Sequence, residues 1–329
     1  MARMVTLYRY QAIMRIVFFG SSEFALKPLT ALAGAGFRPL CVVTQPDKSK
    51  ARGLTPAGTL IKNEALRRGL EVFQPEDINS GVSIEFLREL KPDLFVVVAY
   101  GQMLSETVLA IPVIMPVNLH PSLLPKYRGA APLNWAIIKG ETSTGVSIVK
   151  MTKRMDAGPV LRSKAADILK EDDAVSLGDR LSGLGADLLI ETVREIERGN
   201  SGGIPQKEED ATFAPLLKKE DGRIDWNNSA YCIRNLVRGC AGWPGTFTCF
   251  RGRLLKIKET KVIEENSSAD IPVSPGRIVA VSPQGMEISC GKGRLSIKKL
   301  QPESKKEMTA EEFINGYKPL VGECFTGLL

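Results

Sequence analysis

His120 is the only histidine in a chain of 329 residues, and it stands two positions after Asn118 at the end of an apolar run. Alternate residues of a strand share one face, so the amide and the imidazole project together, about 6.5 Å apart along the strand. Pro121 and Pro125 follow. Each lacks an N–H and restricts its predecessor, so the segment between them cannot be regular structure. Further on, Asp156 sits in a turn-prone Asp-Ala-Gly-Pro stretch. An amide, an imidazole and a carboxylate that converge can bind a carbonyl, donate to the oxyanion that develops on it, and accept a proton. Each residue also has a plainer reading. A lone histidine is usually a satisfied core or surface group, Asn118 can brace a nearby backbone, and Asp156 can simply form the turn.

The elements that would position these groups begin with Arg-Ile-Val-Phe-Phe-Gly at 15–20, an apolar run of the kind that makes a buried parallel strand. Ser21 and Ser22 read as caps for a helix over 24–32, which stops at Gly34 and Gly36. Strands are expected at 40–44, 71–73, 94–99, 117–120, 145–151 and 160–169, with helices at 60–68, 82–90, 131–139 and 177–198. The second of these helices stops before Pro92, and Trp135 is expected in a core. This alternation predicts a doubly wound, Rossmann-like parallel sheet. The turn after the first strand is Gly-Ser-Ser-Glu-Phe rather than G-x-G-x-x-G, so the dinucleotide fingerprint is missing and a nicotinamide oxidoreductase is disfavoured. The run at 94–99 reads as the central strand, leaving Tyr100 and Gly101 at its C-terminal end, where open α/β sheets bind ligands.

A polar, glycine-containing stretch at 200–211 reads as a linker. It divides the chain into an extension at 1–13, a domain at 14–205 and a second domain at 206–329. In the last, a helix at 229–238, strands at 246–250, 254–262, 276–281, 286–289 and 294–301, and a helix at 309–316 suggest a small β-barrel.

Composition narrows the function classes. The formal charge is +7, and eighteen Lys and Arg against thirteen Asp and Glu lie from residue 211 onward, so most of the excess base is in the back third. That favours a polyanionic partner. The loop at 45–59 adds Lys48, Lys50 and Arg52, which read either as a solvated charge cluster or as a phosphate-contacting arm. Six cysteines at positions 41, 232, 240, 249, 290 and 324 show no CxxC pairing or zinc spacing, which fits buried thiols in a reducing compartment and no metal. No apolar run nears the ~20 residues that span a bilayer.

Longer motifs run through the same chain in order: Phe-Phe-Gly-Ser-Ser-Glu-Phe-Ala from Phe18, Thr-Gln-Pro-Asp from Thr44, Val-Phe-Gln-Pro from Val72, and Val-Val-Ala-Tyr-Gly from Val97. Asn-Leu-His-Pro-Ser-Leu-Leu-Pro from Asn118, Arg-Gly-Ala-Ala-Pro from Arg128, Thr-Gly-Val from Thr144, Met-Asp-Ala-Gly from Met155 and Arg-Ile-Asp-Trp from Arg223 follow. Together they resemble the 10-formyltetrahydrofolate-dependent formyltransferases, most closely the members that act on methionyl-tRNA, over nearly the whole chain from Met14.

The resemblance implies an OB-like barrel for the second domain and transfer of a formyl group from 10-formyltetrahydrofolate to the α-amino group of initiator methionyl-tRNA. It makes Asn118 and His120 the oxyanion donors. Asp156 would hold and polarise His120, or take the amine's proton directly or through water. The folate pterin would lie against Ser122, Leu123, Leu124 and Pro125 and the edge at Tyr100 and Gly101, with Arg52, Lys48 and Lys50 on the tRNA. A cytoplasmic monomer that needs no metal is expected. Pro121 is a departure, since many tRNA-directed members carry a small residue there and glycinamide ribonucleotide formyltransferases carry proline. The rivals are that single-domain enzyme, sugar-nucleotide formyltransferases with their own second domain, and a non-catalytic nucleic-acid-binding protein on the same fold. The basic second domain argues against the first, Arg52 and the charge excess against the second, and the intact Asn118, His120 and Asp156 against the third. If the first domain is self-sufficient, a variant cut near residue 205 is expected to lose tRNA affinity while still slowly hydrolysing or binding the donor.

Overall fold

In the computed structural model, the chain is described over residues 14–47, 58–263 and 274–326. The extension at 1–13 and the arm carrying Lys48, Lys50 and Arg52 lie outside the described residues.

Seven strands form the first sheet: β1 (Ile16–Gly20), β2 (Cys41–Val43), β3 (Glu71–Phe73), β4 (Leu94–Val98), β5 (Met115–His120), β6 (Ser143–Lys150) and β7 (Val160–Asp167). Their order is β3-β2-β1-β4-β5-β6-β7. β1 to β5 pair in parallel, whereas β6 returns antiparallel to β5, with His120 opposite Ser147 and Asn118 opposite Val149. β1, β2 and β4 are buried at every residue, as strands covered on both faces must be. This is the Rossmann-like sheet that the apolar runs predict. Strand order reverses at β1, between β2 and β4, which puts a topological switch point at the carboxyl ends of these strands.

Helices α1 (Leu26–Gly34), α2 (Leu60–Arg67), α3 (Gly81–Glu89), α4 (Glu106–Leu109), α5 (Pro132–Ile138) and α6 (Ala174–Glu197) connect or follow the strands. Thr59, Ser80 and Ser105 cap α2, α3 and α4 with their hydroxyls. The expected caps on the first helix are not formed. Ser22 makes no side-chain cap bond, and the Ser21 hydroxyl instead accepts from the Gln45 N–H at 3.0 Å, tying the end of β1 to the end of β2. Trp135 is half-buried rather than a core residue; its indole N–H donates to the Pro215 carbonyl at 2.8 Å.

The second sheet is antiparallel and curls into an open half-barrel. After α7 (Ala230–Gly239) come β8 (Thr246–Phe250), β9 (Arg253–Ile263), β10 (Ile278–Ser282), β11 (Gly285–Ser289), β12 (Arg294–Pro302), β13 (Met308–Thr309), α8 (Ala310–Tyr317) and β14 (Phe325–Thr326). The order is β10-β11-β12-β9-β8-β14, with β13 on β12. Its core gathers Trp226, Ile233, Val237, Phe250, Ile257, Ile288, Leu295 and Phe313. The first half of β9 alternates inward apolar with outward basic residues, the pattern of a sheet with one wet face.

Contacts divide the chain into two compact units that interleave along the sequence. One comprises Met1–His120, Val146–Lys164 and Ser182–Glu208; the other comprises Pro121–Gly145, Ala165–Leu181 and Glu209–Leu329. The loop that follows His120 thus shares a unit with the half-barrel.

Candidate active site

β5 ends with Asn118 half-buried and His120 buried on one face, as the two-residue spacing requires. Asp156 reaches both. Its Oδ1 accepts from the Asn118 Nδ2 at 3.2 Å, and its Oδ2 lies 3.5 Å from the His120 Nδ1. The three residues picked out in the sequence therefore meet. The carboxylate favours a proton on Nδ1, which leaves Nε2 as the second working nitrogen: a base when the ring is neutral, a donor when it is doubly protonated. The other N–H of the Asn118 amide remains to point at a developing oxyanion.

The turn that presents Asp156 is held by backbone geometry. Asp156 has φ +50, a left-handed conformation that aspartate tolerates better than most residues. Gly158 can only be glycine, because an added Cβ would stand 1.8 Å from the Lys150 carbonyl oxygen. Lys150 in turn donates its N–H to the Pro159 carbonyl at 3.0 Å, closing the turn onto β6. Gln206 completes it, since its Nε2 donates to the Asp156 and Gly158 carbonyls, each at 2.7 Å. Gln206 lies in the stretch that reads as a linker. Only its polarity marks it there, so the sequence gives no sign of this role.

At the end of β4 the backbone is equally constrained. Ala99 has φ +46 and Gly101 φ +91, and the Ala99 carbonyl accepts from Ser21 N at 3.3 Å and Ser22 N at 3.4 Å. The Tyr100 ring packs edge-on against Phe19 with centroids 5.5 Å apart. Its hydroxyl is buried without a hydrogen-bond partner among the described residues, and burial raises its pKa. The side chain of Tyr100 is thus a core element, and what this edge offers a ligand is backbone at Tyr100 and Gly101. After His120, Ser122 is fully buried and donates its hydroxyl to the Lys126 carbonyl at 2.7 Å. Leu123 accepts from the Lys126 N–H at 3.1 Å, and the Leu124–Pro125 peptide between them is cis. Leu123, Leu124 and Pro125 therefore sit on a closed turn. Among the described residues no group of three or more His, Cys, Asp or Glu is arranged to hold a metal.

This chain matches the sequence model of the formyl transferase family over residues 14–193 and that of the formyl transferase C-terminal domain over 216–318. It is 42% identical to a methionyl-tRNA formyltransferase of Caldanaerobacter subterraneus subsp. tengcongensis over 305 residues, 92% of this chain and 97% of that protein. A methionyl-tRNA formyltransferase of Thermodesulfovibrio yellowstonii is 45% identical over 303 residues, covering 92% of this chain and 96% of its own. Among solved structures, HypX from Aquifex aeolicus in complex with tetrahydrofolic acid superposes with a TM-score of 0.63 at 19% identity, over 95% of this chain and 49% of HypX. At that identity the likeness is one of fold.

Proposed function

The chain belongs to the formyl transferase family, and we propose that it transfers the formyl group of 10-formyltetrahydrofolate to the α-amino group of methionyl-tRNA. The observation that carries this reading is the meeting of Asn118, His120 and Asp156 at the end of β5. The relatives from Caldanaerobacter subterraneus and Thermodesulfovibrio yellowstonii, at least 42% identical over more than nine-tenths of its length, are methionyl-tRNA formyltransferases.

The neutral amine attacks the formyl carbon and forms a tetrahedral intermediate bearing an oxyanion. Asn118 Nδ2 and His120 Nε2 donate to that oxygen; removal of one such donor from an oxyanion site costs roughly 2.7–4 kcal/mol. Asp156 accepts from the Asn118 amide and lies against His120 Nδ1, and so orients both donors. It also accepts the proton that the attacking nitrogen must lose, directly or through water. The C–N bond to the folate then breaks, the folate nitrogen is protonated, and the formamide is left on the methionyl group. The folate lies along the Tyr100 and Gly101 backbone and the turn of Ser122, Leu123, Leu124 and Pro125. HypX, with the same fold, binds tetrahydrofolic acid.

Catalysis falls to residues 14–205, and the tRNA to 206–329 together with Lys48, Lys50 and Arg52. The protein would work as a monomer in the cytoplasm, where charged initiator tRNA is found. Among the described residues no helix is long and apolar enough to cross a membrane.

The test is formylation with a labelled donor of three acceptors: methionyl-tRNA, glycinamide ribonucleotide and an amino-sugar nucleotide. Label should enter methionyl-tRNA alone. Transfer to either small amine in preference to methionyl-tRNA would overturn the assignment.

A further inference from the structure

The turn after His120 is braced from 85 residues away. Tyr127 donates its N–H to the Thr212 hydroxyl oxygen at 2.8 Å. The neighbouring backbone groups interlock in a short parallel pairing of Arg128 with Phe213. Arg128 N donates to Thr212 O at 2.8 Å, Ala214 N to Arg128 O at 2.8 Å, Ala131 N to Ala214 O at 3.2 Å, and Thr212 N to Pro125 O at 3.4 Å. The approach is close enough that a Cβ on Gly129, which has φ +125, would stand 2.6 Å from the Ala214 carbonyl oxygen. Tyr127 itself has φ +60, a conformation costly for a bulky residue. The Thr212 hydroxyl therefore satisfies an N–H at a strained position, two residues past Pro125.

We propose that residues 212–215 are a positioning strand for the donor-binding turn, with Thr212 the side chain that fixes its exit. This rests on the reading of Ser122, Leu123, Leu124 and Pro125 as folate contacts. The segment lies between the regions matched by the two family models, at 14–193 and 216–318. It follows directly on the stretch read as a linker, and by its bonds it is part of the loop. Thr212 acts through Tyr127 and Pro125 and touches no reacting atom, so its loss should be felt as misplacement of the donor.

The experiment compares Thr212→Val, which keeps the shape and removes the hydroxyl, with Thr212→Ser, which restores it. Thr212 is exposed, so neither variant should fail to fold. The full-length proteins are assayed with 10-formyltetrahydrofolate and methionyl-tRNA, each varied in turn, for kcat, the donor KM and the acceptor KM. Equilibrium binding of 5-formyltetrahydrofolate, a stable probe, is measured without any acceptor. Thr212→Val should raise the donor KM and the probe Kd about three- to tenfold, the range for loss of one hydrogen bond. The acceptor KM should stay within twofold, and Thr212→Ser should return the donor values to wild type. Unchanged donor KM and probe Kd in Thr212→Val would overturn the proposal, as would an equal rise in the donor and acceptor KM values. If wild-type protein binds the probe yet formylates no methionyl-tRNA, the acceptor assignment fails, while the effect of Thr212 on probe binding still decides the role of the strand.

Discussion

The end of β5 and the half-barrel solve opposite electrostatic problems. At the end of β5 a few polar groups stand in an apolar sheet, and their partners are one another: Asn118 and His120 both lie against Asp156. Along β9 the pattern is turned outward. Leu255 and Ile257 are buried while Lys256, Lys258 and Lys261 are exposed. The first arrangement makes each interaction short, directional and shielded from salt. The second makes each interaction weak and replaceable, with the strength in the sum. Chemistry on one carbonyl needs the former, and a polyanion of many equivalent phosphates suits the latter. Side-chain losses should therefore be large and insensitive to salt at the edge, but small and strongly salt-dependent on the barrel.

The largest effect should come from Asn118 and His120, the proposed oxyanion donors. His120→Ala and Asn118→Ala are each expected to lower kcat at least ~100-fold, with unchanged melting temperature and the same deficit at low and high salt. Near-normal turnover in either would remove the oxyanion role proposed for that residue.

Asp156→Asn should follow closely. The amide keeps the size but can neither accept the amine's proton nor hold a doubly protonated His120. A rate profile measured across pH is the check, and wild-type turnover throughout would reduce Asp156 to a turn former.

On the barrel, Lys256→Ala, Lys258→Ala and Lys261→Ala should each weaken methionyl-tRNA binding only severalfold. Each cation that neutralises a phosphate should lower the slope of log affinity against log salt by about 0.9. Affinity titrations at several salt concentrations would show it. A single lysine worth as much as His120, or a slope that none of the three changes, would erase the contrast between the regions.

The smallest effect is expected for deletion of residues 1–13. The first strand starts at Ile16 and every motif lies beyond it, so turnover and melting temperature should both match the full chain.

Much of this was legible in the sequence because it is local. The apolar runs of β1 and β4 need no partner to identify them, and the Asn118-to-His120 spacing places two side chains on one face without further information. Five strands of the half-barrel, β8 to β12, fall within two residues of the positions read from alternation and turns, whereas the two-residue strands β13 and β14 are too short to show a period and are absent from that reading. What stayed hidden depends on partners distant in sequence. Gln206 holds the Asp156 turn across 50 residues, and Thr212 holds Tyr127 across 85. Gln206 lies in a polar stretch with the composition of a spacer, and Thr212 directly follows it. Ser21 and Ser22 read as caps because hydroxyls before a helix usually are; here the Gln45 N–H competes for Ser21 and wins. The expectation that a cut near residue 205 would spare donor binding changes for the same reason. Such a cut would remove Gln206 and residues 212–215 together, and donor binding should weaken along with tRNA affinity.

The interleaving of the two units also orders events during synthesis of the chain. Translation is vectorial and slow, about 5–20 residues per second, so the first five strands and His120 leave the ribosome several seconds before Thr212. In that interval the turn after His120 has no strand to pair with, and closing so long a loop must wait for its far end. A nascent chain can thus hold Asn118, His120 and Asp156 while the surface meant for its donor is unfinished. The segment that finishes it emerges just ahead of the half-barrel, so a chain interrupted before that point would carry Asn118, His120 and Asp156 without a braced turn after them.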